Sequence, residues 1–113
     1  MKITVLPHSI QEASTFFTRW RGWMFRKKPA KGEGLLITKC NSIHMFFMAF
    51  PIDALFLDEN NQVVALKENL APWKMVAPVS GAVATMELPA GTVKAMDILV
   101  GDEIQYQLKK VVS

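Results

Sequence analysis

Apolar positions follow one period near the start of the chain and another over the rest. Lys2 to Leu6 makes a short first strand, and after it Ile10, Ala13, Phe16 or Phe17, Trp20 and Met24 recur every three or four positions. Ser9 with Glu12 forms a capping box, S-I-Q-E, so the spacing predicts a helix from Ile10 to about Arg21. Pro29 stops any continuation, and "KKPAKGEG" is a surface loop. From Gly34 the period becomes two. "LLITKC", "SIHMFFMAF", "IDALFLD", "QVVALKE" and "VATMEL" are the strands this predicts. Pro51 divides the second from the third, because proline has no donor for a central ladder.

Asn60-Asn61 is a two-residue hairpin turn, since asparagine tolerates positive φ. "NLAPWKMVAPVSG" holds too many breakers for regular structure and is expected to be a packed loop anchored by Trp73. Pro89 suits the start of a short helix, Ala90 to Met96, and "VGDE" is a tight turn. In the last strand Ile104, Tyr106 and Leu108 alternate with polar residues, so one face is wet and the strand is antiparallel or at an edge. The prediction is a single α+β domain over 1–113. Its sheet is mostly antiparallel and strongly curved, or a small barrel, with one N-terminal helix and one short C-terminal helix.

"GEGLLITKCNSIHMFFMAFPIDALFLDENNQVV", followed by "ENLAPW", "MELPAG" and "ILVGDEI", resembles a bacterial and archaeal family known as domain of unknown function one-nine-two. With "RGWMFR" included, the likeness runs from roughly Ala13 to Ile104. Gly22-Trp23-Met24 stands where the family has a Gly-Leu-Met-like block, and Asn60-Asn61 where it has Asp-Gly or similar. The resemblance implies a compact, barrel-like α+β fold. It carries no agreed activity, cofactor or catalytic residue.

Composition narrows the function classes. Half the residues are apolar and 20% are charged, which excludes a disordered chain. The lone Cys40 excludes an intramolecular disulfide. The longest apolar run, Ile43 to Leu57, is short of the ~20 residues needed to cross a bilayer and contains His44, Pro51 and Asp53. A soluble cytoplasmic protein, without a membrane partner, is expected. The net charge of +3 conceals an asymmetry: the cations before residue 32 face Glu12 alone, whereas acids exceed lysines after it. Arg19, Arg21, Arg26, Lys27 and Lys28 interleave with Trp20, Trp23 and Phe25, the composition of a phosphate-and-stacking surface. The same residues also suit an amphipathic helix with wet cations and buried aromatics, and that reading is preferred.

The candidate chemistry lies in "KCNSIHMFFMAFPIDALFLD". On a strand Cys40 and His44 stand ~13 Å apart, too far for a nucleophile pair. Cys40, His8 and His44 are too few for structural zinc, so no metal and no cofactor is expected. Asp53 sits in an apolar strand where an unpaired carboxylate is costly. It either accepts main-chain N–H groups from the Phe50-Pro51 turn or the Pro72-Trp73 loop, the preferred role, or faces a pocket. A tight hairpin at Phe50-Pro51 would set His44 opposite Leu57, on the face of Asp53 but ~13 Å from it.

These features make a small non-catalytic binding or accessory module the first expectation. Its groove would be formed by the 50–53, 72–73 and 88–91 loops, with Asp53, His44, Trp73 and Glu87 as ligand-binding candidates for an unspecified small molecule or protein. The alternatives are a small hydrolase or lyase using Asp53 with His44, and nucleic-acid binding through Arg19, Arg21, Trp23, Arg26, Lys27 and Lys28.

Overall fold

The computed structural model describes residues 1–13, 32–45 and 49–112. Its elements are β1 (Ile3–Ala13), β2 (Glu33–Thr38), β3 (Ile43–His44), β4 (Ile52–Leu57), β5 (Val63–Leu70), β6 (Met75–Val76), β7 (Ala84–Pro89), the helix α1 (Thr92–Met96) and β8 (Glu103–Val112). Six strands form one sheet in the order β5-β4-β7-β2-β1-β8, while β3 and β6 pair separately. β4 is buried along its whole length. Its flanking neighbours β5 and β7 are both antiparallel to it.

The expected fold class needs correction on three counts. First, residues 10–13 are strand, and the rest of the predicted first helix lies outside the described residues. The three-residue spacing that looked helical puts Ile10 and Ala13 on opposite faces of β1, where they join different cores. Second, the sheet is mixed, because β1 runs parallel to both β2 and β8. Third, the sheet is open and not a barrel. Its edge strands meet at one corner only, where Gln62 bridges Glu103. β8 is an edge strand as expected, but it is parallel to its neighbour.

Each face of the sheet has its own apolar layer. Ile37, Met45, Phe50, Ile52, Ala54 and Phe56 pack on one side. Leu36, Leu55, Leu57, Met86, Leu88 and Val93 pack on the other. Gly34 belongs where β1, β2 and β7 crowd together: a Cβ there would stand 2.5 Å from Ile10 Cδ1 and 2.8 Å from Leu88 Cδ2. The β4–β5 hairpin forms, but not as a two-residue Asn60-Asn61 turn: Asn61 N–H donates to Asp58 O at 3.0 Å, so Glu59 and Asn60 are central and Asn61 follows at φ 59. Asp58 holds it by accepting the N–H groups of Asn60 and Gln62 at 2.8 and 2.9 Å.

A tight hairpin at Phe50-Pro51 would have set His44 opposite Leu57, and the described residues pair differently. β3 pairs with β6, setting His44 against Met75 in place of Leu57. The "NLAPWKMVAPVSG" stretch contains β6, and Trp73 is not its buried anchor: it is 59% exposed.

Candidate functional site

Ile52, the first residue of β4, pairs with Leu70 at the end of β5 and Pro89 at the end of β7. The chain segments that follow those two strands therefore meet at one end of the sheet. Asp53 fastens them. It is completely buried, and both of its oxygens accept main-chain N–H groups. Oδ1 accepts from Asn69 at 2.8 Å, and Oδ2 from Gly91 at 3.1 Å and Val93 at 2.8 Å. Gly91 is the N-cap of α1, at φ 94, and supplies no capping side chain of its own. Asp53 caps the helix from another strand, satisfying donors that a helix start leaves unpaired. These donors come from Asn69 and the α1 start, not from the Phe50-Pro51 turn or the Pro72-Trp73 loop.

Glu87 is buried as well, on the opposite face of the sheet. Asp53 stands opposite Leu88, whereas Glu87 stands between Ala54 on β4 and Leu35 on β2. The two carboxyls cannot share a ligand or an ion. Oε1 of Glu87 has no hydrogen-bond partner among the described residues. Burial among apolar neighbours pushes its pKa up to about 8, so the side chain is predominantly a neutral acid at pH 7.

Trp73 lies just beyond the Asn69 brace, with φ 68, the left-handed region that bulky side chains rarely occupy. Its N–H donates to Met45 O at 2.8 Å, and that of Lys74 donates to Ala71 O at 3.3 Å. Met75, two residues on, is 66% exposed. His44 contributes its main chain to β3. The Cys40 thiol donates to Ser42 O at 2.9 Å. Arg19, Arg21, Trp23, Arg26, Lys27 and Lys28 lie outside the described residues. Among the described residues, no three His, Cys, Asp or Glu side chains gather closely enough to hold a metal ion. Nor is any helix among them long and apolar enough to cross a membrane.

Asp102, which the sequence reading took only as part of a turn, is a second buried anchor. Oδ1 accepts the Lys2 N–H at 3.1 Å, and Oδ2 accepts Leu99 N–H at 2.9 Å and the Lys2 ammonium. The Lys2 hydrogen bond leads the causes that lower its pKa to about 2. The signal was present in "VGDE", where an Asp follows a Gly at φ 96 and can fold back on its own turn.

The sequence matches the profile of DUF192, described as "Uncharacterized ACR", over residues 2–106. The chain belongs to the DUF192 family. A UPF0127 protein of Thermococcus sibiricus is 36% identical over 105 residues, covering 89% of this chain and 68% of the relative. Two crystal structures share the fold. One, of a Novosphingobium aromaticivorans protein of unknown function, has a TM-score of 0.74 at 20% identity, over 81% of this chain and 70% of that one. The other, of a Sinorhizobium meliloti protein provisionally named a transcription regulator, has a TM-score of 0.70 at 27% identity. It covers 81% of this chain and 76% of its own. For a DUF192 protein the informative features are therefore local: the Asp53 brace, the desolvated Glu87 and the displayed Trp73.

Proposed function

We propose that the protein is a small binding module whose contact surface is the end of the sheet tied together by Asp53. Trp73 and Met75, on the segment that follows β5, are the contacting side chains. The observation that carries this reading is Trp73 itself, 59% exposed at φ 68. A left-handed position on a surface loop is ordinarily given to Gly or Asn, and a bulky residue there costs about 1–3 kcal/mol. Strain of that kind is kept where the side chain has a task. An indole beside a thioether suits an apolar or aromatic group of a small molecule or a peptide side chain. Asp53 has the role of a support here, since both oxygens are already engaged by main-chain donors.

Trp73→Gly separates fold from function. Relief of the backbone strain should offset much of what the fold loses with the contacts Trp73 makes, so the variant is expected to stay folded with a melting temperature near that of the parent. Ligands found by thermal-shift screening of metabolites, nucleotides, sugars and short peptides should lose at least about tenfold in affinity. A ligand at a hundred times its Kd stabilises by ~2.7 kcal/mol, well within reach of such a screen. Hits that bind the variant as tightly as the parent, or a variant that unfolds, would contradict the proposal.

A nucleic-acid reading through Arg19, Arg21, Trp23, Arg26, Lys27 and Lys28 has the provisional name of the Sinorhizobium relative in its favour. It requires an affinity that falls steeply with salt. No binding to a single-stranded oligonucleotide at low ionic strength would dispose of it.

A further inference from the structure

Among the described residues, β8 forms one edge of the main sheet with no strand beyond it. At its start the strand is closed off: Ile104 N–H donates to Asn61 O at 2.8 Å, and Gln62 bridges Glu103. Beyond Ile104 no described strand lies on that side. Residues alternate along a strand, so Tyr106 and Leu108 direct their N–H and C=O groups to the same open side as Ile104. Two further observations mark this edge. The face of Ile104, Tyr106 and Leu108 leaves the core progressively, from 1% exposure at Ile104 to half-buried at Tyr106 and 45% at Leu108. A hollow of about 550 Å³ lies along it, lined by Asn61, Glu103, Ile104, Gln105, Tyr106 and Leu108.

We propose that two copies of this chain join through these edges, β8 antiparallel to β8 about Gln107, making one continuous sheet. The occupant is a second copy because the strand is complementary to itself. In this register Tyr106 of each copy faces Leu108 of the other. The two residues exchange both main-chain bonds, and the aromatic and aliphatic side chains meet over the hollow. Gln107 faces Gln107, and the regular pairing ends at Leu108, because β8 has an extra residue at Lys109. No like charges stand opposite one another. The pairing stops before the stretch already occupied by Asn61 and Gln62, so it needs no rearrangement of the hairpin. The extra residues of the irregularity opposite Gln105 and Gln107 lie on β1, so β8 itself runs without proline or inserted residue from Ile104 to Leu108, and among the described residues no strand blocks this edge there.

Gln107 supplies the test, since it is exposed and leaves the core untouched when changed. By sedimentation equilibrium the protein should be a dimer of 12.7 kDa chains. Gln107→Glu and Gln107→Lys each set like charges face to face and should weaken dimerisation roughly fivefold, whereas their equimolar mixture should recover it as a heterodimer. Leu108→Pro removes one outward donor from each copy and should weaken it at least about tenfold. A protein that stays monomeric at the highest attainable concentration overturns the proposal. So do charge variants that dimerise as tightly as the parent, or a mixture that forms no heterodimer.

Discussion

Asp53→Ala is expected to destabilise the protein by about 3–5 kcal/mol, from ~1–3 kcal/mol for each main-chain donor left without an acceptor, least for the part-buried ones. The size follows from geometry. Three main-chain donors, at Asn69, Gly91 and Val93, converge on this carboxylate from two segments distant in sequence. Removing it orphans all three, and the Val93 donor lies where water does not reach. α1 is only five residues long, with a glycine N-cap and no acidic residue in its first turn. Nothing local replaces the lost cap. Asp53→Asn should not rescue the protein, because its amide nitrogen would confront N–H donors on one side. Against a typical total of 5–15 kcal/mol, either variant should show a clearly lower urea midpoint. A loss below ~1 kcal/mol in both would deny Asp53 the bracing role.

Glu87→Gln is expected to change how stability depends on pH. Burial raises the folded-state pKa of Glu87 from 4.5 to about 8. Between those values the folded chain keeps a proton that the unfolded chain gives up, so stability falls as pH rises. The slope is ~1.4 kcal/mol per pH unit for a single group. Below pH 4.5 both states are protonated and the cost vanishes; above pH 8 it levels off. Glutamine keeps the shape without the proton equilibrium. The variant should therefore match the parent near pH 4, or fall slightly below it. By pH 8 it should exceed the parent by on the order of 4 kcal/mol. Urea denaturation from pH 4 to 9 measures this directly. Parallel curves for the two proteins would mean that Glu87 ionises freely where it stands.

The sequence was most legible where one local rule met no competitor. Asn61 takes the positive φ of the β4–β5 turn, and Gly101 that of the turn before β8. The strands around Leu36, Leu55 and Met86 lie close to where their apolar runs place them. It misled where two rules competed. Ser9, Ile10, Glu12 and Ala13 satisfy the signature of a helix start. Yet parallel neighbours on both sides of β1 satisfy the same main chain in a ladder, and those neighbours are remote in sequence. The Pro51 break left a hairpin open as one arrangement, but whether the chain reverses there depends on which strands flank β4. Those strands are β5 and β7.

The candidate site divides the same way. An Asp inside an apolar strand announces a partnered carboxylate, and Asp53 is one. The partners themselves depend on which strand ends lie beside Ile52, which spacing along one chain does not disclose. Glu87 and Asp53 look alike in sequence as acids in apolar runs. The pleat puts them on opposite faces, one saturated with donors and the other with an oxygen unpartnered among the described residues.

The central claim is that the Asp53 carboxylate holds the loop end of the sheet in place and is not a chemical group awaiting a substrate. Amide hydrogen exchange at Asn69, Gly91 and Val93 tests it most directly. These three amides should be protected together in the parent protein, and should exchange faster by orders of magnitude in Asp53→Ala while the ladder between β2 and β7 stays protected. Rapid exchange at all three in the parent, unchanged by the substitution, would contradict the claim.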